Sequence, residues 1–171
     1  MPQNPTVPAV TSDGSPLVTV QGTFFRAVDP AYRESALAGS RSATRYAPAN
    51  MPTLYLSASR SGVAAALIKH GGDRAAELEV LTFTVTAQRI ADLRDVAAMR
   101  RLGVDPKDAA GDWQRETAET GTARSWRVRR ALERIGATGL IDPSCKAPGL
   151  WHLALFEWNV EGAPTVQLAT P

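Results

Sequence analysis

Apolar and polar residues alternate along several short segments, which is the pattern of strands buried on one face. The clearest case is ELEVLTFTV at residues 77–85. The runs LVTVQGTFFRAV at 17–28 and TLYLS at 53–57 have the same character, and Leu54 and Leu56 would share one face. Two later segments carry weaker strand signals, residues 138–141 and 150–160. The alternation therefore predicts a sheet.

Helical features are interspersed with these strands. VAAALIKH at residues 63–70 follows a polar turn and is rich in residues that lose little entropy in a helix. A strand, a turn and a helix start in succession are common around ligands, and they also occur as plain architecture. Residues 95–102 predict a helix that ends at Gly103.

The middle of the chain is rich in further helix signals. Asp105 and Pro106 predict a helix start, with Trp113 as a buried anchor after it, while residues 87–93 show no clear pattern. Residues 123–136 predict an amphipathic helix that ends at a glycine. Its arginines could bind phosphate, but we expect them to form its solvated face: Arg124, Arg127, Arg129, Arg130 and Arg134.

The chain length and the breaker residues predict one domain. At 171 residues the chain can bury a single core. Residues 1–16 contain four prolines and predict a flexible arm, residues 17–160 a folded domain, and residues 161–171 a short tail. Within the domain, residues 29–52 read as an irregular loop with one helical turn, and such long loops are more often functional than idle.

Composition excludes several classes of protein. The formal net charge of +2 reflects 19 basic and 17 acidic residues, too balanced to indicate direct nucleic-acid binding. No apolar run is long enough for a membrane span, and the first residues lack a signal-peptide pattern, so we expect a cytoplasmic protein. The single cysteine, Cys145, and the two distant histidines, His70 and His152, predict no metal site.

Polar residues at predicted strand ends and in loops form a chemically coherent set. The sequence lacks the motifs of P-loop proteins, Rossmann domains, zincins and serine hydrolases. Arginines can hold a pyrophosphate, tyrosine rings can stack on a base or nicotinamide, and serine can bind a ribose hydroxyl. The less specific alternatives are a solvated strand-end charge for Arg26 and simple turn chemistry for Ser144. The set predicts a dinucleotide pocket and comprises Arg26, Arg45, Tyr46, Tyr55 and Ser144.

Several motifs in order resemble those of the RES domain. They are FFRAV, the pair Arg45-Tyr46, PTLYLS followed by a helix, and GLIDPSCKAPGLWHLALFEWN, together spanning residues 22–159. The resemblance implies a single α+β domain similar to ADP-ribosyltransferases, with a central mixed or antiparallel sheet flanked by helices. It implies a bacterial toxin that consumes NAD as its substrate without a metal, and whose partner is an Xre-type helix-turn-helix antitoxin that blocks the pocket.

The resemblance also assigns roles to individual residues. Arg26 matches the arginine of the family, and Arg45 with Tyr46 match the loop that follows it. Tyr55 is expected beside nicotinamide, and Ser144 on the nicotinamide ribose. Arg26, Tyr46, position 66 and Ser144 would form the catalytic set, and His152 stands where the family has an asparagine near the ligand.

The glutamate of the family is missing, because its place falls at or beside Ala66. Three explanations are open: an inactive natural member, a carboxylate supplied from elsewhere such as Glu77, or a deliberate substitution that allows a toxic protein to be produced. We favour the third, since VAAELIKHG would fit both the helix and the family and differs at one residue. The simpler alternative is that Ala66 is an ordinary helix residue and that the family's glutamate aligns with a different position.

The predicted activity is cleavage of the bond between nicotinamide and ribose by water or phosphate, impaired in this chain by Ala66. The same chemistry allows a mono-ADP-ribosyltransferase that modifies a protein. An alternative from another class is a non-catalytic NAD-binding or interaction module, in which Ala66 is native and the pocket serves recognition only.

Overall fold

The fold is built on a seven-stranded mixed sheet in a computed structural model that describes residues 7–70 and 72–170. The strands run in the order β1-β2-β3-β6-β5-β4-β7, and β2 also pairs with β4. Among the strands of these described ranges, β4 and β5 pair in parallel and the other pairs are antiparallel. The strands are β1 (Ala9–Thr11), β2 (Leu17–Val28), β3 (Leu54–Ser57), β4 (Glu79–Asp92), β5 (Gly139–Pro143), β6 (Trp151–Leu155) and β7 (Thr165–Leu168).

In the part of the chain that the structure describes, five helices and two 3-10 turns connect the strands. The helix α1 joins β3 to the second 3-10 turn, and the remaining helices lie between β4 and β5. Their bounds are α1 (Arg60–His70), α2 (Val96–Arg101), α3 (Pro106–Ala109), α4 (Trp113–Thr120) and α5 (Arg124–Arg134), with 3-10 turns at Pro30–Ser35 and Gly72–Glu77. No helix in the described ranges is long and apolar enough to cross a bilayer.

The two faces of the sheet bury separate cores. Leu54 and Leu56 join a cluster with Phe24 and Phe83, whereas Tyr55 between them packs against a second cluster on the other side. The second cluster includes α5 through Val128 and Leu132. Alternation along β3 therefore sends its leucines into one core and its tyrosine to the opposite face, as the sequence pattern predicts. The α+β fold with a mixed sheet flanked by helices is confirmed.

The helix-rich middle begins later than predicted. Residues 87–92 continue strand β4, because Ala87, Ile90 and Ala91 are fully buried and their backbone pairs with neighbouring strands. Long-range pairing here overrides a weak local pattern. The next helix does begin where expected, since the Asp95 carboxylate caps α2 by accepting a 2.9 Å hydrogen bond from the backbone N–H of Ala98.

Two strands lie outside the predicted domain: β1 in the arm, which was predicted to be flexible, and β7 in the tail, whose sequence has a weak strand signal. Residues 9–11 of the predicted flexible arm pair with β2, and Gly22 allows this because a side chain there would meet Pro8 within 3 Å. Residues 1–6 of that arm lie outside the described ranges. The predicted tail forms β7, which Asn159 holds through two hydrogen bonds to the backbone of Val166. Backbone pairing needs no strong apolar pattern, and hence the sequence signal is weak.

One arginine of α5 is not part of a solvated face. Arg129 is only 3% exposed, donates a 2.7 Å hydrogen bond to Thr53 and one of 3.0 Å to Glu133, and lies over the ring of Phe156 at 4.6 Å. The other four arginines of the helix are exposed, as expected. Arg129 therefore ties α5 to the start of β3, beneath the loop that borders the cleft described next.

Candidate functional site

A cleft of about 750 Å³ lies on the sheet face that carries Tyr55. Its floor is a row of directly paired residues that crosses four strands: Phe25 of β2 is opposite Ser57 of β3, Ser57 is opposite His152 of β6, and His152 is opposite Asp142 of β5. Directly paired residues share a face, so the strand register places these side chains together. Helix α1, the loop before β3 and the start of α4 form the walls.

Arg26, near the end of β2, lines this cleft and is half-buried. One guanidinium nitrogen donates a 2.6 Å hydrogen bond to the carbonyl of Ala36. Burial lowers the pKa of Arg26 from its usual value, and no carboxylate in the described part of the chain pairs with it. A desolvated cation without a carboxylate partner gains most from an anionic ligand. Arg26 therefore has the charge and the placement to contact an anionic ligand in the cleft.

Arg45 also lines the cleft, but part of its guanidinium is already engaged. The same nitrogen donates hydrogen bonds to the carbonyls of Ala109 (2.9 Å) and Gly111 (2.7 Å). The backbone of this loop is held in turn by α5, because Ser125 donates a hydrogen bond to the Arg45 carbonyl and Trp126 donates one of 2.9 Å to the Thr44 carbonyl. Arg45 thus fixes the α3–α4 wall to the loop as well as offering charge to the cleft.

Tyr55 presents its ring to the cleft while its hydroxyl is bonded. The hydroxyl is 2.7 Å from the Thr44 hydroxyl and accepts a 3.3 Å hydrogen bond from the Tyr46 backbone N–H. Burial raises its pKa, so it stays protonated at neutral pH. The structure therefore leaves the ring, rather than the hydroxyl, as the part of Tyr55 that can contact a ligand.

Tyr46 is fully buried and does not line the cleft. Its hydroxyl has no regular hydrogen bond within the described residues. Burial raises its pKa well above the usual value, and the next largest influence on it is the Asp142 carboxyl. Tyr46 thus lies behind the cleft wall, where it can act on a ligand only through its neighbours.

Asp142, which the sequence analysis did not single out, supplies a carboxyl to the cleft floor. Burial raises its pKa to about 6, although Tyr46 and Arg45 both act in the opposite direction. It belongs to the motif GLIDPSCKAPG, next to the proline that precedes Ser144. The only sequence signal was a carboxylate at the end of a predicted strand, which is common at solvated positions.

Ser57 and His152 are joined across the floor by a 3.0 Å contact between the serine hydroxyl and Nδ1. Burial lowers the pKa of His152, so the ring is neutral at pH 7. A neutral ring held at Nδ1 leaves Nε2 as its second polar atom. His152 is therefore placed where the sequence analysis expects a ligand-binding residue.

Ser144 lines the cleft from the turn between β5 and β6. Its hydroxyl oxygen accepts hydrogen bonds from the backbone N–H groups of Lys146 (3.3 Å) and Ala147 (3.2 Å). As an acceptor, the Ser144 hydroxyl therefore stabilises its own turn, which is the less specific alternative considered from the sequence. Its O–H can still donate toward a ligand.

Ala66 lies on α1 with its side chain exposed at the cleft. The helix carries no acidic residue at this wall, since its sequence is RSGVAAALIKH. Glu77, the substitute carboxylate considered from the sequence, does not line the cleft. A side chain at position 66 can therefore reach a ligand, and the carboxyls that the described residues give to the cleft are Asp112 and Asp142.

Trp113 is partly exposed and lines the cleft, which corrects its prediction as a buried anchor. It is the first residue of α4, whose cap Asp112 accepts a 3.2 Å hydrogen bond from the Arg115 N–H. An amphipathic aromatic near a helix start is ambiguous in sequence, because a packed ring and a ligand-facing ring have the same local pattern. No cluster of three or more His, Cys, Asp or Glu residues suited to a metal occurs within the described ranges.

The raised pKa of Asp142 predicts a pH-dependent cost in stability. Its folded pKa of about 6 lies above the ordinary value of 3.8, so the folded state binds the extra proton and stability falls as pH rises through this window. Asp142→Asn removes that cost, and we expect a gain of roughly 1–2 kcal/mol in unfolding free energy at pH 7. Urea unfolding at pH 7 and near pH 4 measures it; an equal gain at both values would contradict this explanation.

The mixed sheet of this α+β domain thus carries a cleft that combines a half-buried arginine, aromatic rings and a half-buried carboxyl. Its family is the RES domain: the family's sequence model matches residues 23–170, and the chain belongs to that family. Among solved structures it is similar to a chain in the M. tuberculosis MbcT–MbcA toxin–antitoxin complex, with 17% identity and a TM-score of 0.55. The match covers 88% of this chain and 82% of that one. The search of curated proteins found no match.

Proposed function

We propose that this chain is the toxin of a toxin–antitoxin pair and that its cleft binds NAD for cleavage of the bond between nicotinamide and ribose. The observation that carries the proposal is Arg26, a half-buried cation that lines the cleft without a carboxylate partner in the described residues. Membership of the RES-domain family supports the activity. The similarity to a chain of a toxin–antitoxin complex supports an antitoxin partner, which we propose to be of the Xre type.

The residues around the cleft match the parts of a dinucleotide. Arg26 would hold the pyrophosphate, with the free part of the Arg45 guanidinium beside it. Tyr55 would pack against nicotinamide, while Ser144 and His152 would bind the attached ribose. Tyr46 would support Asp142 from behind. The cleft volume of about 750 Å³ lies within the usual range of small-molecule sites.

Breaking the nicotinamide–ribose bond places positive charge on the sugar, and a carboxylate close to that sugar lowers the barrier. In this chain α1 offers Ala66 where the family resemblance places a glutamate. We therefore propose that the chain binds NAD and turns it over slowly. The arginine and aromatic side chains proposed to bind NAD still line the cleft, whereas the transition state would lack one stabilising negative charge.

NAD binding is expected to quench the fluorescence of Trp113. Among the tryptophans, Trp113 lines the cleft, whereas Trp158 donates a 2.9 Å hydrogen bond to the Leu37 carbonyl away from it. Titration of the purified chain with NAD should give saturable quenching. Trp113→Phe, which keeps an aromatic face, should abolish most of the signal, while Trp158→Phe should retain it. Absence of saturable quenching in the parent and in Trp158→Phe would count against an NAD site in this cleft.

A further inference from the structure

The strand register places the carboxyl group of Asp142 at the floor of the cleft. It is directly opposite His152, and this row continues through Ser57 to Phe25, all of which line the cleft. It is also two residues before Ser144 on the same chain segment. Any sugar bound between Ser144 and His152 would therefore lie next to this carboxyl.

The surroundings of Asp142 fit a carboxylate that awaits a ligand. The protein groups that act on it are Arg45 and Tyr46 from the loop, and it influences Tyr55 from β3. No ion pair involving Asp142 occurs within the described ranges; the Tyr46 hydroxyl and the Arg45 charge act on it from the loop side. A half-buried carboxyl that lines the cleft and has only these neighbours retains the capacity to accept hydrogen bonds from a ligand.

The other carboxyl in the cleft wall has a structural task. Asp112 accepts the hydrogen bond that caps α4. Its carboxylate is therefore already engaged by the backbone at the start of this helix. Glu77 lies outside the cleft lining. Within the described residues, Asp142 is thus the carboxyl that faces the cleft without a cap or ion pair.

We propose that Asp142 is the carboxylate that this cleft offers to the sugar of its ligand, accepting hydrogen bonds from hydroxyls of the nicotinamide ribose. Carboxylates bind ribose hydroxyls in other dinucleotide sites by the same chemistry. The inference rests on the proposed function and adds a residue that determines recognition of the ribose. In the transition state the same charge would face the sugar as it becomes positive.

The test compares NAD with its analogue that lacks the 2′-hydroxyl of the nicotinamide ribose, using calorimetry on the purified full chain. In the parent we expect loss of this hydroxyl to weaken binding by about tenfold, the effect of one charge-assisted hydrogen bond. In Asp142→Asn the two ligands should bind within about twofold of each other, since the coupling between hydroxyl and carboxylate is gone. Asp112→Asn, which keeps a good helix cap, should behave as the parent.

The same titrations repeated between about pH 5 and pH 8 give a second readout. NAD affinity of the parent should rise as Asp142 ionises, and Asp142→Asn should lose this step. His152→Gln should retain it, which separates the carboxyl from the neighbouring histidine. The role of Asp142 would be overturned, and the proposed function left standing, if removal of the hydroxyl weakened binding equally in the parent and in Asp142→Asn. An unchanged pH profile of affinity in Asp142→Asn would have the same consequence. Failure of the folded parent to bind NAD at all would overturn the proposed function together with it.

Discussion

Ala66→Glu is expected to raise NAD consumption by this chain by about a hundredfold or more, the usual effect of one well-placed charge on a transition state. Position 66 lines the cleft with its side chain exposed, so a glutamate there meets the ligand rather than the core. Glutamate is also a good helix former, and hence α1 should be preserved. The measurement is NAD loss in vitro and in cells, with mass spectrometry of the product to distinguish free ADP-ribose from ADP-ribose attached to phosphate or protein.

Ala64→Glu is the matched control for this prediction. Ala64 is exposed on the same helix but does not line the cleft. A glutamate there adds the same charge two residues away from position 66. Ala66→Gln adds the same volume without the charge. If Ala66→Glu consumes NAD no faster than these two variants, the missing-carboxylate explanation is wrong and a binding module becomes the better description.

Arg26→Ala is expected to have the second large effect. In the Ala66→Glu background it should reduce kcat/KM for NAD by about a hundredfold, because a charge-assisted contact to phosphate contributes roughly 1.5–3 kcal/mol. The guanidinium is fixed by the Ala36 carbonyl at 2.6 Å and has no carboxylate partner within the described ranges, so a ligand phosphate would be its main charge partner. Initial rates over a range of NAD concentrations measure the effect.

Arg33→Ala provides the control, since Arg33 lies on the surface in an ion pair with Glu79 and outside the cleft. Arg26→Lys keeps the charge without the planar fork and should retain part of the activity. Equal activity in Arg26→Ala and Arg33→Ala would show that Arg26 is only a structural residue at the end of β2.

The sequence was most informative where local pattern and tertiary structure agree. The alternation of Leu54, Tyr55 and Leu56 predicts which side chains face the core and which the cleft, and the structure follows it. It was least informative where strand register decides proximity. Asp142 and Phe25 are far apart in sequence and share one row only because four strands pair in a particular alignment.

The sequence-based predictions were also wrong for side chains that can lie either in the core or at the surface. Trp113 was expected in the core and lines the cleft, whereas Arg129 was expected in solvent and is buried under the loop that precedes β3. Both residues combine an apolar body with a polar tip, so local spacing does not specify their surroundings. The expected cleft residues at positions 26, 45, 55, 66, 144 and 152 do line one cavity, while Tyr46 lies behind it.

The most direct test of the central claim is a crystal structure of this chain with NAD, for which the slow turnover expected from Ala66 is an advantage. We expect one NAD molecule in the cleft, with its pyrophosphate on Arg26, nicotinamide against the ring of Tyr55, and the adjoining ribose on Asp142 and Ser144. NAD bound at another surface, or a cleft that stays free of NAD at saturating concentration in crystals that leave it open, would contradict that claim.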